Sequence, residues 1–306
     1  MTKLVVKYMN TTQGNNAEAD RLGTIMIKGE VTLASNGYRP ELTTDTSPIL
    51  NKEAFIFDLD GTVWNGKKII PGVVEAIQKL RELGKQPIYL TNNSSKSRQE
   101  YLTRLQGLGL CNDLKEIVMS TDTVTTYLKN HGFKSAYIMG TPAMREMCAE
   151  SGVSHEADLD KVNVVVIGFD RTATADKLTE VGRLVAKGIP YIVAHPDPFC
   201  PSDEGPIMDC GAYYAAIKVM TGIEAKAILG KPSASMIEEV EIRFSIARDK
   251  MVMFGDRLYT DVALGRAANI DSVLVLTGEN TLKDAASSTE RPTWILNSVA
   301  ELHSDV

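Results

Sequence analysis

The chain has 306 residues, enough for two domains with separate cores, and 43% of them are apolar, as in an ordinary globular protein. A formal net charge of −6 gives no attraction to nucleic acid or an anionic membrane, and no Lys/Arg cluster builds a footprint for a phosphate backbone. The longest apolar runs, such as 162–169, are strand-sized, so no transmembrane span is expected.

Residues 1–50 are rich in Thr, Asn and Gly and read as an accessory N-terminal extension, with strand-like runs at 4–8 and 25–27 and a hairpin pattern around Lys28-Gly29-Glu30. The first residues turn polar by Asn10, too early for a secretory apolar region. Cys111, Cys148, Cys200 and Cys210 show no Cys-x-x-Cys spacing, so reduced thiols and a cytoplasmic location are expected. From Glu53 the pattern becomes strand, turn and helix in alternation. Strands are predicted over 54–58, 86–90 and 117–119 and helices over 73–83, 97–108 and 121–130, the pattern of a parallel sheet covered on both faces.

The first strand ends in Phe55-Ile56-Phe57-Asp58-Leu59-Asp60-Gly61-Thr62. On a strand, residues two apart share a face, which would set Asp58 and Asp60 side by side with Gly61 turning the chain beneath them. An ionised carboxylate can attack phosphorus, and a second one can carry a proton to the leaving oxygen. Asp-x-Asp-Gly also opens calcium loops, but the twelfth position from Asp58 is Ile69, where such a loop needs Glu. Trp64, shortly after, reads as a packing residue.

The strand at 86–90 runs into Thr91-Asn92-Asn93-Ser94-Ser95, hydroxyls and amides at a strand-to-helix turn, which suits an anion as well as an ordinary helix cap. The interval from Thr91 to Lys231 far exceeds one βα crossover, so it must hold structure of its own. Strands at 136–139, 162–167 and 191–194 alternate there with helical patterns at 142–151, 175–187 and 212–221. The predicted domains are therefore 1–50 as the extension, 51–131 with 226–306 as the core, and 132–225 as an insert. Ile228-Leu229-Gly230-Lys231-Pro232-Ser233 brings a lysine to a helix start. Strands at 227–229, 251–254, 272–276 and 293–296 are read as completing the first sheet. Met251-Val252-Met253-Phe254-Gly255-Asp256 ends another strand in a carboxylate, with Asp261 five residues on. Ligands of open α/β sheets bind beyond the carboxyl ends of the strands, where all four elements stand.

Taken in this order, Asp58/Asp60, Thr91, Lys231 and Asp256/Asp261 resemble the four motifs of the haloacid dehalogenase (HAD) superfamily. Gly168-Phe169-Asp170, Ala194-His195-Pro196-Asp197, the run from Cys200 to Pro206 and Gly255-Asp256-Arg257-Leu258-Tyr259-Thr260-Asp261 are similar to the NagD-like, 4-nitrophenylphosphatase-type subfamily. The resemblance covers about 53–302. It implies a Rossmann-like α/β core with an inserted α/β cap of the C2 type, and a phosphatase of small phosphorylated metabolites such as sugar phosphates. It also implies Mg²⁺ held by Asp58, Asp256 and the backbone carbonyl of Asp60, with Asp58 as nucleophile and Asp60 as acid and base. Thr91 and Lys231 would neutralise the transferring group, and Asp261 would orient Lys231 or a metal-bound water rather than ligate directly. Asn92 and Asn93 would bind the phosphate. His195 and Asp197, in a proline-rich loop after a cap strand, are candidates for reading the leaving group, while Cys200 and Cys210 read as small buried apolar residues. Two stretches depart from the family wording: Ala194-His195, where many relatives have Thr-Asn, and Met208-Asp209-Cys210-Gly211, where they have Pro-Gly-x-Gly. Both put the substrate in doubt rather than the chemistry. A phosphotransferase or phosphomutase, a catalytically silent phosphate-binding protein, and a homodimer remain open alternatives.

Overall fold

The computed structural model describes residues 38–202 and 204–303. The runs at 4–8 and 25–27 and the hairpin around Lys28-Gly29-Glu30 lie outside them. Two parallel sheets carry the described chain. The first has the order Trp294–Leu296, Asp271–Val275, Met251–Gly255, Ala54–Phe57, Gln86–Thr91, Ile117–Met119. Its central Ala54–Phe57 strand is an apolar run buried at every position. Alternation divides it: Phe55 and Phe57 join one apolar cluster with Val252 and Phe254, while Ala54 and Ile56 join another with Met251 and Met253. Helices close both faces. Val73–Glu82 buries Val73, Ala76, Ile77 and Leu80, one helical stripe, against the first cluster; Ser235–Phe244 buries Met236, Ile237 and Val240 against the second.

The second sheet has the order Ala227–Ile228, Tyr191–Val193, Val164–Ile167, Ser135–Met139, Ser154–His155, again parallel, with an apolar cluster of its own. It is inserted between Ile117–Met119 and Ser235–Phe244. A short antiparallel pair, Phe199–Cys200 with Ile207–Met208, follows the Tyr191–Val193 strand.

Three features differ from the expectation. The strand at 227–228 does not resume the first sheet; it pairs with Ile192 and Val193, and Leu229 N–H donates to Val193 O at 2.8 Å, so the chain leaves the second sheet only at Gly230. Helix Ser120–Asn130, read as part of the core, places Val124 and Leu128 in the insert's apolar cluster and is shared between the two units. Part of the 1–50 extension is built into the core: Ile49 is fully buried, and Thr43 donates its N–H to Ile295 O at 2.8 Å and accepts Ile295 N–H on Oγ1 at 3.1 Å, covering the open edge of the first sheet. Among the described residues no helix is long and apolar enough to cross a membrane.

Candidate active site

Because neighbouring strands of the first sheet are parallel, Ala54–Phe57, Gln86–Thr91 and Met251–Gly255 end on one side, and the expected site residues gather there. An inner pocket of about 50 Å³ is lined by Asp58, Asp60, Thr91, Asn92, Asn93 and Lys231 from the core side and by His195 and Asp197 from the insert. It adjoins a cleft of about 730 Å³ between core residues including Asn65, Gly66 and Glu279 and the insert's Phe199 to Ser202.

Asp58 follows the central strand directly, its N–H donating to Phe254 O at 2.8 Å. Asp60 reaches the pocket by a different route from the expected strand alternation. The strand stops at Phe57, and a tight turn closed by Gly61 N–H to Trp64 O at 2.7 Å carries Asp60, with Gly61 at φ +91°. Trp64 does more than pack: fully buried, it donates its indole Nε1–H to Asp60 Oδ1 at 3.0 Å, while the Arg104 guanidinium covers its ring at 3.7 Å.

Lys231 Nζ contacts Asp58 Oδ1 and lies 2.7 Å from Asp261 Oδ1. Burial disfavours its charge, but Asp261 and Asp58 outweigh burial and hold the ammonium protonated. Burial pushes the Asp58 carboxyl up; Lys231 opposes that, while Asp261 and Asp256 add to it. Asp256 is pushed up to about 6 by burial and then by Asp261. The carboxylate oxygens of Asp58, Asp256 and Asp261 lie within 4.8 Å of one another. Three carboxylates against one ammonium leave negative charge, and buried Asp256 Oδ1 has no hydrogen-bond donor. The backbone also crowds Asp256: a Cβ at Gly61 would stand 2.3 Å from its Oδ2, and one at Gly278 2.0 Å. An all-oxygen donor set with residual charge fits a hard divalent cation such as Mg²⁺. The Asp60 carboxylate is outside this group, held by Trp64.

Asn92 joins the two units. Its Nδ2 donates to Lys231 O and to Asp197 Oδ2, both at 3.0 Å, and its Oδ1 accepts Lys231 N–H at 2.6 Å. Asn92 thus grips the main chain of Lys231, a structural task beyond the phosphate contact expected from sequence. Asn93 turns on itself, accepting Ser95 N–H at 2.9 Å, and Thr91 Oγ1 accepts Asn93 N–H at 3.2 Å.

On the insert side, His195 is 1% exposed, not a surface histidine. Its Nδ1 lies 3.2 Å from Asp197 Oδ2, off-angle for a full hydrogen bond, and its Nε2 lies 3.2 Å from Cys210 Sγ and 3.5 Å from Asp209 Oδ1. The two stretches that depart from the family wording therefore touch each other. Burial works against the imidazolium, yet Cys210, Asp209 and Asp197 together raise His195 well above its ordinary value. Cys210 is fully buried as expected, whereas Cys200 is half-buried and lines both the pocket and the cleft. Sequence reasoning gave no role to Arg257 or Asp209, which also line the pocket. Arg257, ion-paired with Glu279 at 2.9 Å, adjoins Asp256, and Asp209 sits inside a departing stretch; those were the available signals.

Comparison with known proteins finds relatives of one family. Residues 55–154 match the haloacid dehalogenase-like hydrolase family, and 228–302 match a second HAD-hydrolase-like family. The sugar-phosphatase AraL of Bacillus subtilis is 28% identical over 81% of this chain and 90% of its own. A 4-nitrophenylphosphatase structure from Thermotoga maritima superposes with a TM-score of 0.79 at 36% identity, covering 84% of this chain and 98% of that one. A glycerol phosphate phosphatase from Mycobacterium tuberculosis, solved with magnesium, has a TM-score of 0.77 at 29% identity over 83% of this chain and 77% of that one.

Proposed function

This chain belongs to the haloacid dehalogenase-like hydrolases and is a phosphatase of that family, and we propose that it hydrolyses small phosphomonoesters through an aspartyl-phosphate on Asp58. The observation that carries this is Asp58 itself, at the end of the central strand, in contact with Lys231 and opening on a pocket shared with Thr91 and Asp60. A volume of about 50 Å³ holds roughly four water-sized groups, the scale of a phosphoryl group. The leaving group then extends into the larger cleft beside Phe199, Cys200 and Pro201. We take the second sheet and its helices as the cap, and the cytosol, which keeps thiols reduced, as its compartment.

Asp58 Oδ attacks phosphorus as the bond to the leaving oxygen breaks, and Asp60 delivers a proton to that oxygen. Asp60 then takes a proton from the water that attacks the phosphorus, returning the Asp58 carboxylate and free phosphate. Lys231, the Thr91 hydroxyl and the N–H groups of the turn after Thr91 balance charge on the transferring group. Asp261 fixes Lys231 from behind. Asp58 and Asp256, with the Asp60 backbone carbonyl, would hold Mg²⁺, which when bound neutralises charge on the phosphoryl oxygens. A panel of phosphorylated metabolites tests this reading: phosphate release should need Mg²⁺, stop on chelation and return with added Mg²⁺. Full activity after exhaustive chelation would overturn the metal assignment, and no release from any monoester would overturn the substrate class.

A further inference from the structure

The imidazole of His195 is surrounded at Nε2 by groups to which the proposed mechanism gives no role. Cys210 Sγ at 3.2 Å, Ser94 Oγ at 3.4 Å and Asp209 Oδ1 at 3.5 Å all converge on its single Nε2 atom. Cys210 and Ser94 each stand at hydrogen-bond distance from Nε2, bonds to sulfur being the longer kind, but one ring nitrogen can satisfy only one such partner at a time. Three groups of different chemistry sharing one nitrogen also have about the spacing of ligands around a metal. Tetrahedral zinc bonds nitrogen at about 2.0–2.1 Å, oxygen at about 2.0–2.2 Å and sulfur at about 2.3 Å, which sets nitrogen about 3.5 Å from sulfur and about 3.4 Å from oxygen.

We propose that His195, Asp209 and Cys210 form a binding site for one Zn²⁺, separate from the carboxylate site around Asp58. The three ligating atoms lie within 4.8 Å of one another, and each residue is at most 3% exposed. Asp197 Oδ2, held by Asn92, faces Nδ1 at 3.2 Å, off the angle of a full hydrogen bond, and is the outer carboxylate that would keep Nε2 toward the ion. Ser94 or a water completes the coordination. A thiolate, an imidazole and one carboxylate favour a soft ion, whereas the oxygen-only site favours Mg²⁺. Entry is through the inner pocket, which His195 and Asp209 line. Binding expels the protons of the Cys210 thiol and of the imidazole to solvent. The bound ion ties the exit of the Tyr191–Val193 strand to the start of the Cys210–Thr221 helix.

The test is Co²⁺ titration of the chelator-treated full chain in excess Mg²⁺, which keeps the carboxylate site filled. The wild type should take up one Co²⁺ with a thiolate-to-metal charge-transfer band and the intense visible bands of four-coordinate cobalt, all removed by one equivalent of Zn²⁺. Cys210→Ser should abolish the charge-transfer band and Cys200→Ser should retain it. Asp197→Asn should keep the band but weaken affinity about 10- to 100-fold. Absence of the band in the wild type overturns the proposal without recourse to any variant, leaving an internal hydrogen-bonded cluster. Persistence of the band in folded Cys210→Ser overturns it as well.

Discussion

On the core side of the pocket three carboxylates gather around one ammonium; on the insert side two carboxylates flank one imidazole and a thiol. The core group carries surplus negative charge and an oxygen, Asp256 Oδ1, without a donor, so it is suited to a hard cation and to a phosphoryl group. The insert group is closer to balance, because Cys210, Asp209 and Asp197 together raise His195 well above its ordinary value against the cost of burial. On the proposed function the core side holds what every substrate shares, and the insert, through Phe199 to Ser202, borders the part that varies. Asn92 bonds to both sides, so the division is not clean at Asp197.

The largest effect should come from the core. On the proposed mechanism Asp58→Asn removes the nucleophile, a metal-holding oxygen and the partner of Lys231 together, so phosphate release should fall by on the order of 10³-fold or more for every substrate. A loss within tenfold would move the nucleophile elsewhere and break the comparison. Asp60→Asn should separate the two steps. Nitrophenolate barely needs a proton, so rapid mixing should give a burst of about one nitrophenolate per site and then slow turnover, while an alkyl phosphate should stall at the first step. Wild-type rates on both substrate types without a burst would remove Asp60 as acid and base.

The insert side should split. His195→Ala should change preference among natural phosphates more than turnover of 4-nitrophenyl phosphate, because it lines the inner pocket beside Phe199 and Cys200, which on the proposed function wall the leaving group. Asp197→Ala should lower turnover of all substrates alike, since Asn92 then loses one of the bonds that set it against Lys231. Competing-substrate assays decide: uniform loss in His195→Ala, or a preference change alone in Asp197→Ala, would reverse the division.

The legible part of this site was the part encoded by strand ends. Asp58, Thr91 and Asp256 follow apolar runs whose burial dictates strands, and their parallel order dictates one crevice. What stayed hidden depended on where the chain crosses between units. Ala227 and Ile228 look like any apolar strand, and only pairing with Ile192 and Val193 assigns them to the second sheet. Cys210 reads as a small apolar residue until the fold brings His195 beside it, an encounter that no local pattern specifies. Thr43 was lost in a segment of turn-rich composition because its partner Ile295 lies at the far end of the chain, and Ile49 because a lone apolar residue in such a segment does not announce the cluster it joins.

Stability offers a smaller contrast within the insert. Asp170, 1% exposed, accepts Thr172 N–H at 2.8 Å and Lys177 Nζ at 2.8 Å. Burial alone would raise its pKa, but Lys177 and Thr172 hold it below the ordinary value. A lowered carboxylate contributes stability that is present above its unfolded pKa of about 3.9 and is lost as pH falls through the folded value. Asp170→Asn should therefore lower stability by about 1–3 kcal/mol near neutral pH, with the gap to wild type closing below about pH 4. Thermal melts across pH 3–7 test it, and a gap that widens in acid would contradict the sign.

The smallest expected effect probes how Asp60 is held. Trp64→Phe keeps an aromatic ring under Arg104 but removes the indole donor to Asp60 Oδ1. A hydrogen bond of about 1.4 kcal/mol corresponds to roughly tenfold in rate if it is expressed in the transition state. If Asp60 serves the leaving group as proposed, the loss should appear in kcat rather than KM, and more strongly for alkyl phosphates than for 4-nitrophenyl phosphate. A residue that only packs would behave differently: the variant would lose thermal stability while both substrates kept their kcat. Equal kcat for wild type and Trp64→Phe on an alkyl phosphate would return Trp64 to the packing role its position in the sequence suggests.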